Sequence, residues 1–581
     1  MLNPEQRQLL GMPANEVVAL LNQQRRQPAP QPTPEQLLAR FGLQAFRPGQ
    51  REAVQAALAG RDSLIVMPTG GGKSLCYQLP ALATSSLVVV VSPLIALMAD
   101  QLRRLEAVGI ESRMLASGMH EGHNADALKG ITSGTTRLVL AAPERFASYA
   151  FRQALAYRKV ALFVVDEAHC VAEWGHDFRP DYLRLHEAIA ALGRPPVMAA
   201  TATATPRVAD EIAGRLGLRN WISIRSGFDR PNLTFEVLSV DNQSKKNRKR
   251  SVLLKILSDA KSRPAIVYCG TRKDTETVAA VLTGQGISTA NYHAGMSPDA
   301  RGAAQRAFMN GRVEVVVATN AFGMGIDKAN VRTVIHWAVP KSLEAYYQEA
   351  GRAGRDGEMA RAILLATRTD LGRLIRFNNE RSMSVEDVKL YVGALGRASR
   401  RGVLECGKQS QEERLLLSVA ERSGALRLEP GRINALKVTL TGQLDVHAAY
   451  AAIQQAKDRG WESYRAIEQF ISSTECRRRQ ILDFFGDSAP GTPMGRCCDV
   501  CDIRNGIFRG STRSLISPET GPPVNRAEFE QLKAWRAARA AGKPVYVIAT
   551  DATLKEILHR SPNSRESLLR INGIGPSFCE R

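Results

Sequence analysis

Short runs of Val, Ile, Leu and Ala recur without polar alternation from residue 63 onward: SLIVM (63–67), LVVVV (87–91), RLVLAA (137–142), ALFVVDE (161–167) and PVMAAT (196–201). A strand with one wet face alternates apolar and polar residues. Unbroken apolar runs are the pattern of parallel strands covered by helices on both faces. Helical patterns separate the runs, so residues 34–225 are predicted to form a doubly wound α/β domain. A second series follows, AIVYC (265–269), VEVVVAT (313–319), TVIHWAV (333–339) and AILLAT (362–367), and predicts another such domain over 226–372. Order is expected to begin at Thr33-Pro34-Glu35-Gln36. There a capping residue, a first-turn proline and a Gln three positions on mark a helix start after a Pro/Gln-rich tail, 1–33.

Beyond residue 372 the pattern changes. Over 373–445 a helical stretch, SQEERLLLSVAERSG, precedes two short alternating segments, ALRL (425–428) and ALKVTL (435–440). Glu429-Pro430-Gly431-Arg432 supplies turn chemistry between them. Helix followed by hairpin is the order of a winged helix-turn-helix; a helical insertion with an incidental hairpin is the alternative. Residues 446–505 hold two helical patterns and a cysteine cluster. A Ser/Thr/Pro-rich linker, 506–525, leads to a small helical segment, 526–581.

Charge adds a partner. Lys and Arg number 78 against 57 Asp and Glu, a net +21, which points to a polyanion such as nucleic acid. The nine cysteines are mostly scattered over 581 residues, as in a cytosolic chain rather than a disulfide-stapled one. The N-terminus has no signal-peptide pattern, and no apolar run is long enough for a membrane span.

Candidate chemistry begins at MPTGGGKS (67–74), between the strand SLIV and an apolar helical pattern. Thr69, Gly70, Gly71 and Gly72 would let backbone N–H groups converge on phosphates. Lys73 would reach the β- and γ-phosphates and Ser74 would bind Mg²⁺. The usual phosphate loop has glycine where this chain has Met67. LFVVDEAH (162–169) ends a buried strand in two carboxylates: Asp166 to hold Mg²⁺ and Glu167 to polarise the attacking water. In YYQEAGRAGRDG (346–357), Arg352 and Arg355 sit beside glycines that permit close approach. An arginine supplied from the second domain would stabilise transition-state charge on closure.

Together with FGLQAFRPGQ, VSPLIALMADQ, DEAHCVAEWGHDFRP, TATAT, FDRPN, YHAGM and VVVATNAFGMGID, these blocks resemble the RecQ-family DNA helicases of helicase superfamily 2 over most of residues 36–372. The resemblance implies two tandem RecA-like parallel-sheet domains, then a helical zinc module and an HRDC domain. It also implies ATP- and Mg²⁺-dependent, 3′→5′ unwinding of forked or branched DNA in recombination and repair. The protein would be a cytoplasmic monomer working beside single-strand-binding and other repair proteins. By the same carry-over, Arg47 and Gln50 hold adenine, with Leu43 where the family has an aromatic ring. Gln348 joins the two arginines as a catalytic residue. His169, Thr201 and Thr203 link the γ-phosphate to the DNA track, and Trp174, His176, Phe178 and Arg179 form an aromatic, basic loop on single-stranded DNA. Rival readings are a translocase or annealing remodeller without net unwinding, and a DNA-binding scaffold with a dead motor.

RCCDVC (496–501) alone fits metal or redox chemistry. Read with ECRRRQILDFFGD (475–487), it resembles the family's zinc module. That puts Cys476 on a helix and Cys498 and Cys501 in a C-x₂-C pair, with Cys497 as the nearest candidate for the fourth ligand. The family has its winged helix after the zinc module; here the hairpin precedes the cysteines. The final segment, with GKPVYVIATDATLKEI and INGIGP, resembles HRDC domains and is expected to be incomplete. Its Gly573-Ile574-Gly575 resembles turns that offer N–H groups to DNA phosphates.

Overall fold

The structure is a computed structural model that describes residues 32–68, 70–93, 95–116, 119, 121–172, 180–239, 245–323, 328–380, 383–407, 409–430, 436–504, 525–540, 545–571 and 573–579. Thr33 caps the helix Pro34–Arg40 with the reciprocal bonds to Gln36 that its sequence predicts. Seven parallel strands follow: β1 (Ser63–Val66), β2 (Leu87–Val91), β3 (Ser112–Leu115), β4 (Leu138–Ala141), β5 (Val160–Asp166), β6 (Val197–Thr201) and β7 (Ile222–Arg225). Their order is β3-β4-β2-β5-β6-β1-β7. The carboxyl ends of β5, β6 and β1 therefore lie side by side, bringing Asp166, Thr201 and the phosphate loop to one edge.

The second sheet is also parallel, in the order β10-β11-β9-β12-β13-β8. It comprises β8 (Leu233–Ser239), β9 (Ala265–Tyr268), β10 (Thr289–Tyr292), β11 (Val315–Ala318), β12 (Thr333–His336) and β13 (Ala360–Ala366). Every strand foreseen from an apolar run is interior. The four that were not foreseen, β3, β7, β8 and β10, are the four edges. Edge strands pack on fewer neighbours and tolerate polar residues such as those of TANY and ISIR, so they carry no continuous apolar signal.

The hairpin after the second α/β domain is present, pairing β15 (Leu426–Pro430) with β16 (Leu436–Leu440); its tip lies outside the described residues. A strand that the sequence did not reveal, β14 (Val403–Cys406), pairs with β16 on the far side. The element order is helix Val385–Ala398, β14, helix Gln411–Arg422, β15, β16, with sheet order β14-β16-β15. Leu416, Leu417, Ser418, Val419 and Ala420 of the second helix are all buried. β15 packs against the turn Pro180–Leu183 of the first domain.

The two helical patterns of 446–505 resolve into three helices, Val446–Ser472, Arg477–Phe484 and Asp499–Arg504. Cys476 is the N-cap of the second rather than a residue within it. The C-terminal helices Arg526–Ala540 and Asp551–Arg560 pack on each other, and the short turns Val545–Val547 and Pro576–Phe578 set this segment on the helix Val446–Ser472. There Arg465 Nη1 donates to the Gly573 carbonyl at 3.1 Å, and Gly575 lies against Trp461. The Gly573–Gly575 turn is thus buried and joins packed elements instead of facing solvent. Among the described residues, no helix is long and apolar enough to cross a membrane. The tail before residue 32 and most of the 506–525 linker lie outside the described residues.

Candidate nucleotide and zinc sites

β1 delivers Met67 to the start of the phosphate loop, and the helix Leu75–Ala83 begins directly after Ser74. Left-handed φ values fall at Gly70 (85°) and Gly72 (79°) and not at Met67, so the loop makes no conformational demand for glycine at position 67. Met67 is buried beside Gly49, and its carbonyl accepts a hydrogen bond from Lys73 Nζ at 3.1 Å. Gln50, 3% exposed, donates from Nε2 to the carbonyls of Gly71 (3.2 Å) and Gly72 (3.1 Å), and its Oε1 accepts from Arg47 N at 2.8 Å. Arg47 Nη1 donates to the Gly70 carbonyl. The two adenine candidates therefore grip the phosphate loop itself. Thr69 lies outside the described residues. Leu43 is 46% exposed, an apolar surface without an aromatic face.

Asp166 ends β5, nearly fully buried. Its carboxylate accepts from Glu167 N (3.0 Å) and Ser92 Oγ (3.5 Å), and Tyr182 OH holds its carbonyl at 3.1 Å. Burial, and then the Glu167 charge, push its pKa up to about 7, while Lys73 draws it down. A buried carboxyl disfavoured as an anion, as Asp166 is here, is a fitting seat for a divalent cation, which offsets that penalty. Glu167 adopts φ 49°, a left-handed conformation that a non-glycine residue holds only when its surroundings impose it. His169 Nδ1 lies 3.0 Å from Thr201 Oγ1 and 3.3 Å from Glu167 Oε2. Thr203 N donates to Thr201 Oγ1 at 3.3 Å. Glu167, His169, Thr201 and Thr203 are thus one connected group. Trp174, His176, Phe178 and Arg179 lie outside the described residues.

Across a cavity of about 270 Å³ between the domains lies the loop after the helix Leu343–Ala350. The stem of Arg355 reaches the phosphate loop, so that a Cβ added at Gly70 would sit 3.5 Å from Arg355 Cγ. Arg352 takes another course: it is buried, interacts with Tyr268, and has Nη2 packed under Gly323. Gln348 is half-buried on the helix one turn earlier.

Two residues without a role in the sequence reading hold this loop. Arg230 donates to the carbonyls of Gly351 (3.0 Å), Ala353 (2.9 Å) and Gly354 (3.0 Å). Asn232 Nδ2 donates to Gly354 O (2.7 Å) and Glu358 O (2.8 Å). Both belong to the FDRPN block. The available signal was an Arg and an Asn around a proline at the boundary between two domains.

The cysteine cluster is the second site. The sulfurs of Cys476, Cys497, Cys498 and Cys501 all lie within 4.8 Å of one another, with 3.6 Å from Cys476 to Cys497 and 4.0 Å from Cys476 to Cys498. Tetrahedral zinc with ligand bonds of about 2.3 Å requires sulfur separations of about 3.8 Å, so the donor set fits zinc. Around it, Phe235 N donates to Cys497 O (3.3 Å) and Thr234 Oγ1 to Arg496 O (3.2 Å), which seats the knuckle on β8.

Comparison with known proteins agrees along the chain. The DEAD/DEAH box helicase family matches residues 47–212, and the helicase conserved C-terminal domain matches 248–357. RecQ zinc-binding matches 441–502 and the HRDC domain 525–581. The ATP-dependent DNA helicase RecQ of Haemophilus influenzae is 43% identical, with 93% of each chain covered. That of Pasteurella multocida is 34% identical, over 94% of this chain and 91% of the other, and that of Bacillus subtilis 32%, over 92% and 94%. The chain belongs to the RecQ family of ATP-dependent DNA helicases.

RecQ membership implies ATP and Mg²⁺ for the motor and Zn²⁺ for the cysteine module. Among solved structures, the DUF1998 helicase MrfA bound to DNA superposes with a TM-score of 0.50 at 20% identity, over 73% of this chain and 64% of its own. That likeness bears on the RecQ motor fold alone.

Proposed function

We propose that this RecQ-family chain, an ATP-dependent DNA helicase, moves 3′→5′ on one strand and opens forked or branched duplexes in recombination and repair. The observation that carries it is the approach of Arg355 on one domain to the phosphate loop of the other across one cavity, a loop whose Lys73 acts electrostatically on Asp166 beside Glu167. Such a site is complete only when the domains approach, which ties hydrolysis to closure. When bound, Mg²⁺ would neutralise phosphate charge, with Ser74 and Asp166 as its protein ligands. Arg47 and Gln50 orient the adenine, and the N–H groups of residues 69–72 cradle the phosphates. Lys73 binds the β/γ end, Glu167 orients the attacking water, and Arg355 stabilises charge on the transferred group. Arg352, buried, and Gln348, half-buried, stand with Arg355 as further catalytic candidates. Glu167–His169–Thr201–Thr203 is the route by which single-stranded DNA on the 174–179 loop is sensed.

Zinc held by Cys476, Cys497, Cys498 and Cys501 is structural. Residues 34–225 and 226–372 serve as the motor, 373–445 as a winged-helix-like insertion, 446–505 as the zinc module and 526–581 as the HRDC module. The helix before the hairpin is buried over residues 416–420 and opens with Glu412 and Glu413, which argues against it as a groove reader and favours the hairpin as the strand-separating element. The test is displacement of a forked duplex. Lys73→Ala should abolish ATP-driven unwinding and ATPase while DNA binding persists. Removing residues 425–441 should reduce unwinding while ATPase on single-stranded DNA persists. Retained ATPase in Lys73→Ala overturns the motor assignment, and wild-type unwinding without the hairpin overturns its role.

A further inference from the structure

The segment joining the two motor domains is gripped by the zinc module. Arg477 and Arg478 follow the cluster residue Cys476 directly and are each 2% exposed. Arg477 pairs with Asp499 at 3.2 Å inside the module. Arg478 leaves the module: it donates to the Asp229 carboxylate, to the Arg230 carbonyl at 2.9 Å and to the Leu233 carbonyl, and stacks over Phe235. Asp229 is fixed from the same side by Thr492 N at 2.7 Å, and Phe228 by a parallel stack on Phe485 with ring centres 4.3 Å apart. Asp487 Oδ2 accepts from Phe228 N at 2.7 Å. Arg478 therefore fixes the backbone of Arg230, whose side chain in turn holds the carbonyls of Gly351, Ala353 and Gly354.

We propose that Arg230 is a positioning residue for the arginine loop, and that Arg478 sets Arg230, so that the integrity of the zinc module governs the hydrolytic step. The proposal rests on the assignment of Arg355 to the transition state. A buried arginine saturating carbonyls on a linker could serve stability alone, but stability does not require the held residue to be the one that holds the catalytic loop. A mechanical link of this kind requires energetic coupling between its members, and that is measurable.

The test uses the full chain, with DNA-stimulated ATPase resolved into kcat and KM, binding of a fluorescent non-hydrolysable ATP analogue, and bound zinc per chain. Arg230→Met is expected to lower kcat by about 30-fold and Arg478→Met by about 10-fold, with KM and analogue affinity within about 3-fold and zinc retained. The double variant should be no slower than Arg230→Met alone. A wild-type kcat for Arg478→Met, or losses that multiply in the double variant, overturns the proposal. If Arg478→Met does not fold, Asp229→Asn is read by the same criteria, including its combination with Arg230→Met. Arg355→Ala separates the two assignments. If it keeps wild-type kcat, the arginine loop itself is misassigned; if it is inactive while Arg478→Met is not, only the coupling fails.

Discussion

The two loops that face each other across the cleft are held in opposite ways. In the phosphate loop, the carbonyls of Met67, Gly70, Gly71 and Gly72 are taken by Lys73, Arg47 and Gln50, the side chains assigned to the triphosphate and the adenine. Nucleotide must compete for those donors, so this loop is built to exchange partners. The arginine loop is held through its carbonyls by Arg230 and Asn232, which come from the linker. On the proposed assignments, one side of the site is expected to rearrange on binding and the other to be set in advance, as electrostatic catalysis requires.

Four substitutions sharpen or break this contrast. Lys73→Ala removes the cation that must move from carbonyl to phosphate, and ATP turnover should fall by 10³-fold or more, on the order of 4 kcal/mol of barrier. Arg355→Ala should cost about 10³-fold in kcat while nucleotide affinity changes little, because its contribution belongs to the transition state. Equal losses in kcat and affinity would make the arginine loop another ground-state binder and erase the distinction.

A smaller effect is expected at Gly72. An added Cβ would lie 2.4 Å from Gln50 Nε2 at a φ of +79°. Gly72→Ala should therefore weaken ATP binding by about 10-fold, measured by titration with a fluorescent analogue. Asn232→Ala strips a donor from two carbonyls and should lower stability by about 1–3 kcal/mol, seen as a lower melting temperature, with kcat reduced more than KM is raised. A change in KM alone would mean that the arginine loop is not set in advance.

The same contrast explains what the sequence disclosed. Phosphate-loop residues are contiguous, so MPTGGGKS shows the chemistry and the strand–helix context together. The clamp on the arginine loop joins residues far apart in the chain, and nothing in FDRPN reveals which carbonyls Arg230 will find. Interior strands were legible because burial on both faces forces unbroken apolar runs. β3, β7, β8 and β10 were not, because an edge imposes no such pattern. The short β14, VLEC, was hidden for the same reason, its residues half-exposed or exposed. Cys497 lies beside Cys498 in the chain, and only the fold shows both sulfurs near Cys476. Trp174, His176, Phe178 and Arg179 were singled out as a DNA loop on family resemblance, and their geometry lies outside the described residues.

The seating of the zinc knuckle on β8 has a consequence for the fate of the protein in solution. β8 is an edge strand of seven residues, LTFEVLS, and the Phe235–Cys498 bridge covers part of its open side. Stripping the metal would free the knuckle and uncover a row of unpaired backbone donors and acceptors, a template for pairing between molecules. Chelation should then show itself first as concentration-dependent aggregation, with the thiol cluster acting in the native protein as a guard on solubility.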